Sequence, residues 1–134
     1  MNGTQKQNVN RVFDMPKIID LKCYTDILGS LTVIDKILPF DIQRVYYIYN
    51  ASGVRGGHRH KKTIQALICV AGCCDIFVND GIQKETFILD SPNKCLLLYS
   101  QDWHTMQNFS KDAVLLVLAS EHYDKNDYID EEYS

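Results

Sequence analysis

The 134-residue chain sets 14 Lys and Arg against 17 Asp and Glu, a formal net charge of -3, with 46% hydrophobic and 23% charged residues. That size is one ordinary domain, long enough to bury a core without disulfides or a structural metal. A pI of about 5.7 excludes the basic footprint of a duplex nucleic-acid binder, although a local basic patch can still hold a small anion.

Residues 1–15 read as a flexible lead-in and residues 16–134 as one domain. From there the signals are mostly β. "KIIDL" (17–21) and "LTVID" (31–35) are short β-branched runs separated by a Gly-Ser turn at 29–30. "QRVYYIY" (43–49), aromatic and β-branched behind Pro39, is a strong strand. "QALICVAG" (65–72) follows a histidine-rich stretch, and "CDIFVNDGIQKETFIL" (74–89) reads as a hairpin turning at Asn79-Asp80-Gly81. "KCLLLYS" (94–100), "WHTMQNF" (103–109) and "AVLLVLAS" (113–120) complete the set, and only the tail "DKNDYIDEEYS" has room for a helical turn. About nine short strands with turn residues between them predict an all-β, antiparallel sandwich or barrel.

The N-terminal "MNGTQKQNVNRVFDM" lacks a signal-peptide apolar core, and the longest apolar run, Ala113 to Ala119, is too short to span a bilayer. Five cysteines, an odd number with no CxxC pair, predict reduced thiols in a cytoplasmic setting. No membrane and no nucleic-acid partner is expected.

The chemistry concentrates in "VRGGHRHKK" (54–62). In an extended strand, alternate residues share a face. His58 and His60 then point together and Arg59 points away, while Arg44, Tyr46 and Ile48 share one face of their strand. An interior receiving Arg44, Tyr46, His58 and His60 is polar and cationic, and such a lining costs stability unless a ligand or hydrogen-bond partners use it.

The spacing follows a cupin pattern. His58-x-His60 is followed by four residues and Gln65, then six more and Gly72; His104 and Asn108 supply the second motif. A cupin metal site would use His58, His60 and His104, since imidazole suits divalent transition ions. Gln65 stands where the metal-binding pattern has Glu, and Arg55, Arg59, Lys61 and Lys62 crowd the motif with positive charge. Both features weigh against a metal. Three of the four histidines fall on the two motifs, which weighs against purely structural roles; His122 has no such support and reads as a surface residue.

"PFDIQRVYYIYN", "VRGGHRHKK", "QALICVAG", "DSP", "WHTMQNFS" and "AVLLVLASEHYDKNDYI", in that order, resemble the nucleotide-sugar 3,4-ketoisomerases, small cupins acting on dTDP-4-keto-6-deoxyglucose. The resemblance covers residues 16 to 130. It implies a jelly-roll β-barrel, a homodimer with exchanged N-terminal strands, and metal-independent chemistry without a cofactor. It implies that a ketone moves from C4 to C3, giving a product passed to a PLP-dependent aminotransferase on the way to 3-acylamino-3,6-dideoxy sugars of surface glycans. The family's catalytic pair falls on Tyr46 and His58. Two positions depart from the pattern: Arg59 stands where a small residue is common, and Asp130 follows "DYI" where an arginine is more frequent.

A 3,4-tautomerisation needs a base of pKa near neutrality, an acid near the oxygens and a site that excludes water. His58 is the expected base at C3, with His60 binding the sugar or sharing the proton transfer. Tyr46 is expected to hydrogen-bond the sugar oxygens. Arg44 and Arg55 are the expected diphosphate ligands, with Lys61 assisting as a point charge. Tyr99 and Trp103 are candidates to stack on the thymine, and Gln65 and His104 are expected to face the same interior. Competing readings are a metal-dependent cupin enzyme, a non-catalytic sugar-binding cupin, and a dTDP-sugar epimerase with a His–Asp relay, to which the chain is a poor match.

Overall fold

The computed structural model describes residues 14–134, so most of the lead-in expected over residues 1–15 lies outside the described residues. The described chain forms β1 (Lys17–Asp20), β2 (Lys22–Asp26), β3 (Gly29–Val33), β4 (Arg44–Tyr49), β5 (Arg55–His60), β6 (Gln65–Ala71), β7 (Cys74–Asn79), β8 (Lys84–Leu89), β9 (Lys94–Leu98), β10 (Trp103–Gln107), β11 (Val114–Ala119) and β12 (Tyr128–Ile129), with a 3-10 turn at Lys125–Asp127. Two five-stranded sheets, ordered β1-β9-β6-β11-β4 and β12-β5-β10-β7-β8, face one another, and β2-β3 forms a separate hairpin. The described pairings are antiparallel.

Side-chain alternation dictates the packing. Along β4 the burial alternates strictly, with Arg44, Tyr46 and Ile48 turned inward and Val45, Tyr47 and Tyr49 outward, as expected from the sequence. Leu67, Leu96, Leu98, Leu115 and Val117 of the first sheet meet Ile76, Val78, Leu89 and Met106 of the second to form the main core. Each such buried side chain contributes about 1.5–3 kcal/mol by leaving water. Strand β6 is buried on both faces. Its alternate residues Ala66 and Ile68 join Leu97 and Leu118 in an outer cluster under Ile34, Leu38 and Phe40. A strand covered on both sides reads as a continuous apolar run, which is why "QALICVA" lacks alternation.

The β7–β8 turn falls where expected. Asn79 Oδ1 accepts the Gly81 amide, and Asp80 Oδ1 accepts the amides of Ile82 and Gln83 at 2.8 Å each. The Gly-Ser turn expected at 29–30 is corrected: Gly29 and Ser30 already belong to β3, and the turn is at Ile27 and Leu28, where Asp26 Oδ1 accepts the Leu28 amide at 2.8 Å. Strand β2 escaped the pattern because all five of its residues are exposed, leaving no apolar face to alternate.

Candidate active site

Strand β5 carries the histidines inward. Behind Arg55 come Gly56 and Gly57, both at φ +84°, and a Cβ on Gly56 would stand 3.0 Å from the His104 carbonyl oxygen. Glycine there lets β5 run tightly along β10, whose register shifts between His104 and Thr105. The shifted pairing sets His104 opposite His58. The ring centroids of His58 and His60 are 5.1 Å apart, those of His58 and His104 5.2 Å, and those of His60 and His104 6.4 Å. Tyr128 of β12 closes the group, its ring 4.6 Å from His58 and 4.7 Å from His60.

Hydrogen bonds fix how the rings are presented. His104 Nδ1 lies 3.0 Å from the Asp102 carbonyl oxygen, an acceptor only, so Nδ1 carries the proton. His60 Nδ1 lies 2.9 Å from Asp127 Oδ2. The Nε2 atoms of both rings are buried with no hydrogen-bond partner. Gln65, buried at the start of β6, donates from Nε2 to the Tyr46 hydroxyl at 3.0 Å. A tyrosine hydroxyl receiving that bond keeps its own proton to donate elsewhere. The Arg44 guanidinium lies 5.1 Å from the Tyr46 ring centroid and 5.7 Å from that of Tyr123, within cation–π range, and its Nε is buried without a partner.

Burial governs the protonation states. It lowers the His58 pKa to about 4, helped by His60. It lowers His104 to about 3 against the bond that Nδ1 donates to the Asp102 carbonyl. His60 is also lowered by burial, with Asp127 resisting and Arg44 adding to the shift. Burial raises Tyr46, as does Tyr128, while Arg44, the Gln65 bond and Arg55 pull it down. The base near neutrality expected from the sequence is thus corrected for the free protein, where desolvation holds the histidines neutral at pH 7.

The structure brings some of the ten sequence-derived site residues together and sets others apart. Tyr46, His58, His60, Gln65, His104 and Arg44 converge, and Arg55, exposed at the head of β5, acts on Tyr46 electrostatically. Lys61 is exposed, and its amide donates to the Asp127 carbonyl at 2.8 Å. Trp103, a candidate to stack on the thymine, stands apart from the histidines. As the neighbour of His104 on β10 it faces the other side of the sheet, its ring 6.3 Å from Phe77 and its Nε1 donating to the Asp130 carbonyl at 2.9 Å. Tyr99, the other stacking candidate, packs in the outer cluster with Leu97 and Ile68. His122 is exposed, as expected. Arg59 points outward over the Tyr133 ring at 4.4 Å.

Two residues of the site were missed by sequence reasoning: Asp127 and Tyr128. Their signal was the order "NDYI" in an otherwise polar tail. A cavity of about 600 Å³ lies elsewhere, at the root of the β2–β3 hairpin against Ile68, Val70 and Leu116; its lining, which also includes Ser30, Thr32, Ser91 and Asn93, holds no histidine or carboxylate. Among the described residues, no group of three or more His, Cys, Asp or Glu side chains is arranged to hold a metal ion.

Comparison with known proteins places this geometry. The family model FdtA (WxcM-like, C-terminal) matches residues 14–134. The chain belongs to this family. It is 44% identical over 124 residues to the TDP-4-oxo-6-deoxy-alpha-D-glucose-3,4-oxoisomerase of Aneurinibacillus thermoaerophilus, covering 90% of this chain and 85% of that one. The TDP-quinovose 3,4-ketoisomerase WlaRB of Campylobacter jejuni superposes with a TM-score of 0.84 at 41% identity, covering 89% of this chain and 95% of that one. A variant of the 3,4-ketoisomerase QdtA of Thermoanaerobacterium thermosaccharolyticum, solved with TDP-4-keto-6-deoxyglucose, gives 0.83 at 40% identity over 87% of each chain. The dTDP-sugar epimerase RmlC of Legionella pneumophila, at 17% identity and TM-score 0.75 over 89% of this chain and 73% of that one, shares the fold alone. The FdtA-family chain is therefore an all-β cupin, as expected from the spacing of its histidines.

Proposed function

We propose that this FdtA-family chain is a nucleotide-sugar 3,4-ketoisomerase converting dTDP-4-keto-6-deoxyglucose to a dTDP-3-keto-6-deoxyhexose. The observation that carries the reading is the convergence of Tyr46, His58, His60 and His104 beside the Arg44 guanidinium in a chain 44% identical to an oxoisomerase. Neutral histidines accept protons, and a tyrosine with a free hydroxyl proton donates one.

The steps balance without a redox partner. His58 removes the C3 proton; the C–H electron pair becomes the C3=C4 bond, and the carbonyl electrons move to the C4 oxygen, which takes a proton from Tyr46. The C3 hydroxyl of this enediol then loses its proton to His60, its electrons form the C3 ketone, and C4 takes the proton held by His58. The proton on His60 finally restores Tyr46. Arg44 stabilises the negative charge that builds on the oxygens, an effect strongest where water is excluded. Arg44 and Arg55 hold the diphosphate, Lys61 adds a point charge at the rim, and Gln65 and His104 support Tyr46 and the sugar. We assign no metal and no cofactor to the reaction. The protein acts as a homodimer in the cytoplasm and hands its product to a PLP-dependent aminotransferase.

The test is incubation with dTDP-4-keto-6-deoxyglucose in deuterated water, followed by NMR. Wild-type protein forms the 3-keto product and incorporates solvent deuterium, and exhaustive EDTA treatment leaves the rate unchanged. His58→Asn loses C3 exchange while nucleotide affinity stays within about three-fold, since the base is lost but the anion ligands remain. Near-normal turnover by His58→Asn overturns the assignment of the base. Loss of activity to EDTA, restored by iron, manganese or zinc, favours the metal-dependent alternative.

A further inference from the structure

Asp127 lies 67 residues beyond His60 in the chain, and it meets the ring because β12 pairs with the end of β5. Its carboxylate is buried and accepts three bonds. Oδ1 takes the Lys62 amide at 2.9 Å, and Oδ2 takes the Thr63 hydroxyl and His60 Nδ1, the latter at 2.9 Å. A role as a turn cap accounts for the first two bonds but not for the third, which ends on a ring whose opposite nitrogen is buried and unpartnered. Around that ring stand His58, Tyr128 and His104, with Arg44 close enough to act on its charge.

We infer that Asp127 is a positioning residue that locks His60 in the Nδ1–H tautomer, so that Nε2 presents a lone pair to the reacting sugar. The inference rests on the proton-transfer reading above and assigns the tail segment a part in it. An ionised carboxylate only accepts, so the ring nitrogen facing it must donate, and in a neutral ring the other nitrogen must accept. A ring free to hold either tautomer would present a donor part of the time, and a donor cannot take the C3 hydroxyl proton.

Asp127→Asn makes the distinction sharp. The Lys62 amide cannot reverse its polarity, so the new amide must turn its oxygen toward Lys62 and its NH2 toward Thr63 and His60. Thr63 accommodates this by rotating its hydroxyl to accept. His60 accommodates it only by moving its proton from Nδ1 to Nε2, which converts the inward nitrogen from acceptor to donor.

The experiment is ¹⁵N NMR of the histidine side chains in the full chain without substrate, paired with steady-state kinetics on the nucleotide sugar. In wild type the His60 resonances, assigned by their loss in His60→Asn, show protonated Nδ1 and bare Nε2. In Asp127→Asn the two exchange roles, kcat falls by about 10²-fold or more and KM stays within about three-fold, as expected for a base held in the wrong tautomer. Adding Asp127→Asn to His60→Asn costs no further kcat. A wild-type spectrum with the proton on Nε2 overturns the inference outright, even if Asp127→Asn does not fold. So does an Asp127→Asn protein that retains both the Nδ1 proton and wild-type kcat. The spectral arm needs no turnover: wild-type protein inactive on the nucleotide sugar but with His60 locked as stated would sink the ketoisomerase reading and leave the tautomer lock standing.

Discussion

His58 needs no counter-charge to stay neutral. Burial drives its pKa to about 4, below the ordinary 6.5, so the free protein holds a ready proton acceptor throughout the neutral range. The rate profile should carry the mark of this. kcat/KM, which reports groups of the free enzyme, falls as acid protonates His58 and His60, both lowered by burial, and the His58 limb is centred near 4 rather than 6.5. The kcat limb lies at higher pH, because a bound diphosphate sets negative charge beside the imidazoles and favours their charged form. Rates across the acid range check this, and a kcat/KM limb at the ordinary histidine value contradicts it. Much of this cluster was legible in the sequence. His58 and His60 share a face by strand alternation, and the same rule turns Tyr46 inward with Arg44. The same rule sets Trp103 on the opposite face of β10 from His104, since adjacent residues of a strand cannot share a face. The pairing of Asp127 with His60 was not legible, because a contact across 67 residues depends on which strand lies next to which, and the order "NDYI" does not say which strand it joins.

At the scale of elements, the apolar and alternating strands announced themselves, β4 with Arg44 and Tyr46 among them, and the polar or very short ones did not. β4, β6, β7, β9 and β11 are apolar or alternate cleanly. β5 is Gly-Gly followed by charge, β12 is two residues long, and β2 is exposed throughout. Local preference does not make β5 a strand; its pairing with β10 and β12 does. Gly56 is the residue that permits this. Gly56→Ala should cost about 1–3 kcal/mol, since the residue sits at φ +84° and its new methyl meets the His104 carbonyl at 3.0 Å. Urea denaturation measures the loss. Because relief of the contact moves β5 away from β10, activity should fall further than stability alone explains. An unchanged midpoint would mean that β5 relaxes without cost.

At the scale of the whole molecule, buried neutral histidines make the fold sensitive to acid. The folded-state values of about 4 for His58 and about 3 for His104 lie below the 6.5 of an unfolded chain. Between those values the unfolded state binds more protons, so stability rises with pH there. It is complete above the unfolded value, is lost progressively as pH falls from about 6.5, and stops changing on this account below the folded values. Asp127, held below the usual carboxylate range because bonds from Thr63, the Lys62 amide and His60 outweigh its burial, adds loss of the same sign at still lower pH. Calorimetry from about pH 7 to about pH 5 should show Tm falling, and a flat Tm over that span would contradict the burial of the histidine cluster.

The tail that supplies Asp127 and Tyr128 continues across the outer face of the same sheet. Tyr133 lies over Arg59 and donates its hydroxyl to the Gln101 carbonyl at 2.7 Å, and Asn79 Nδ2 reaches Glu132 and the Tyr133 carbonyl. Beneath it, Trp103 donates to Asp130. Trp103 is the single tryptophan of the chain. The indole therefore serves as an intrinsic fluorophore reading one event: when the tail lifts, the ring enters water and its emission shifts to the red, while the barrel core contributes no tryptophan signal to obscure it.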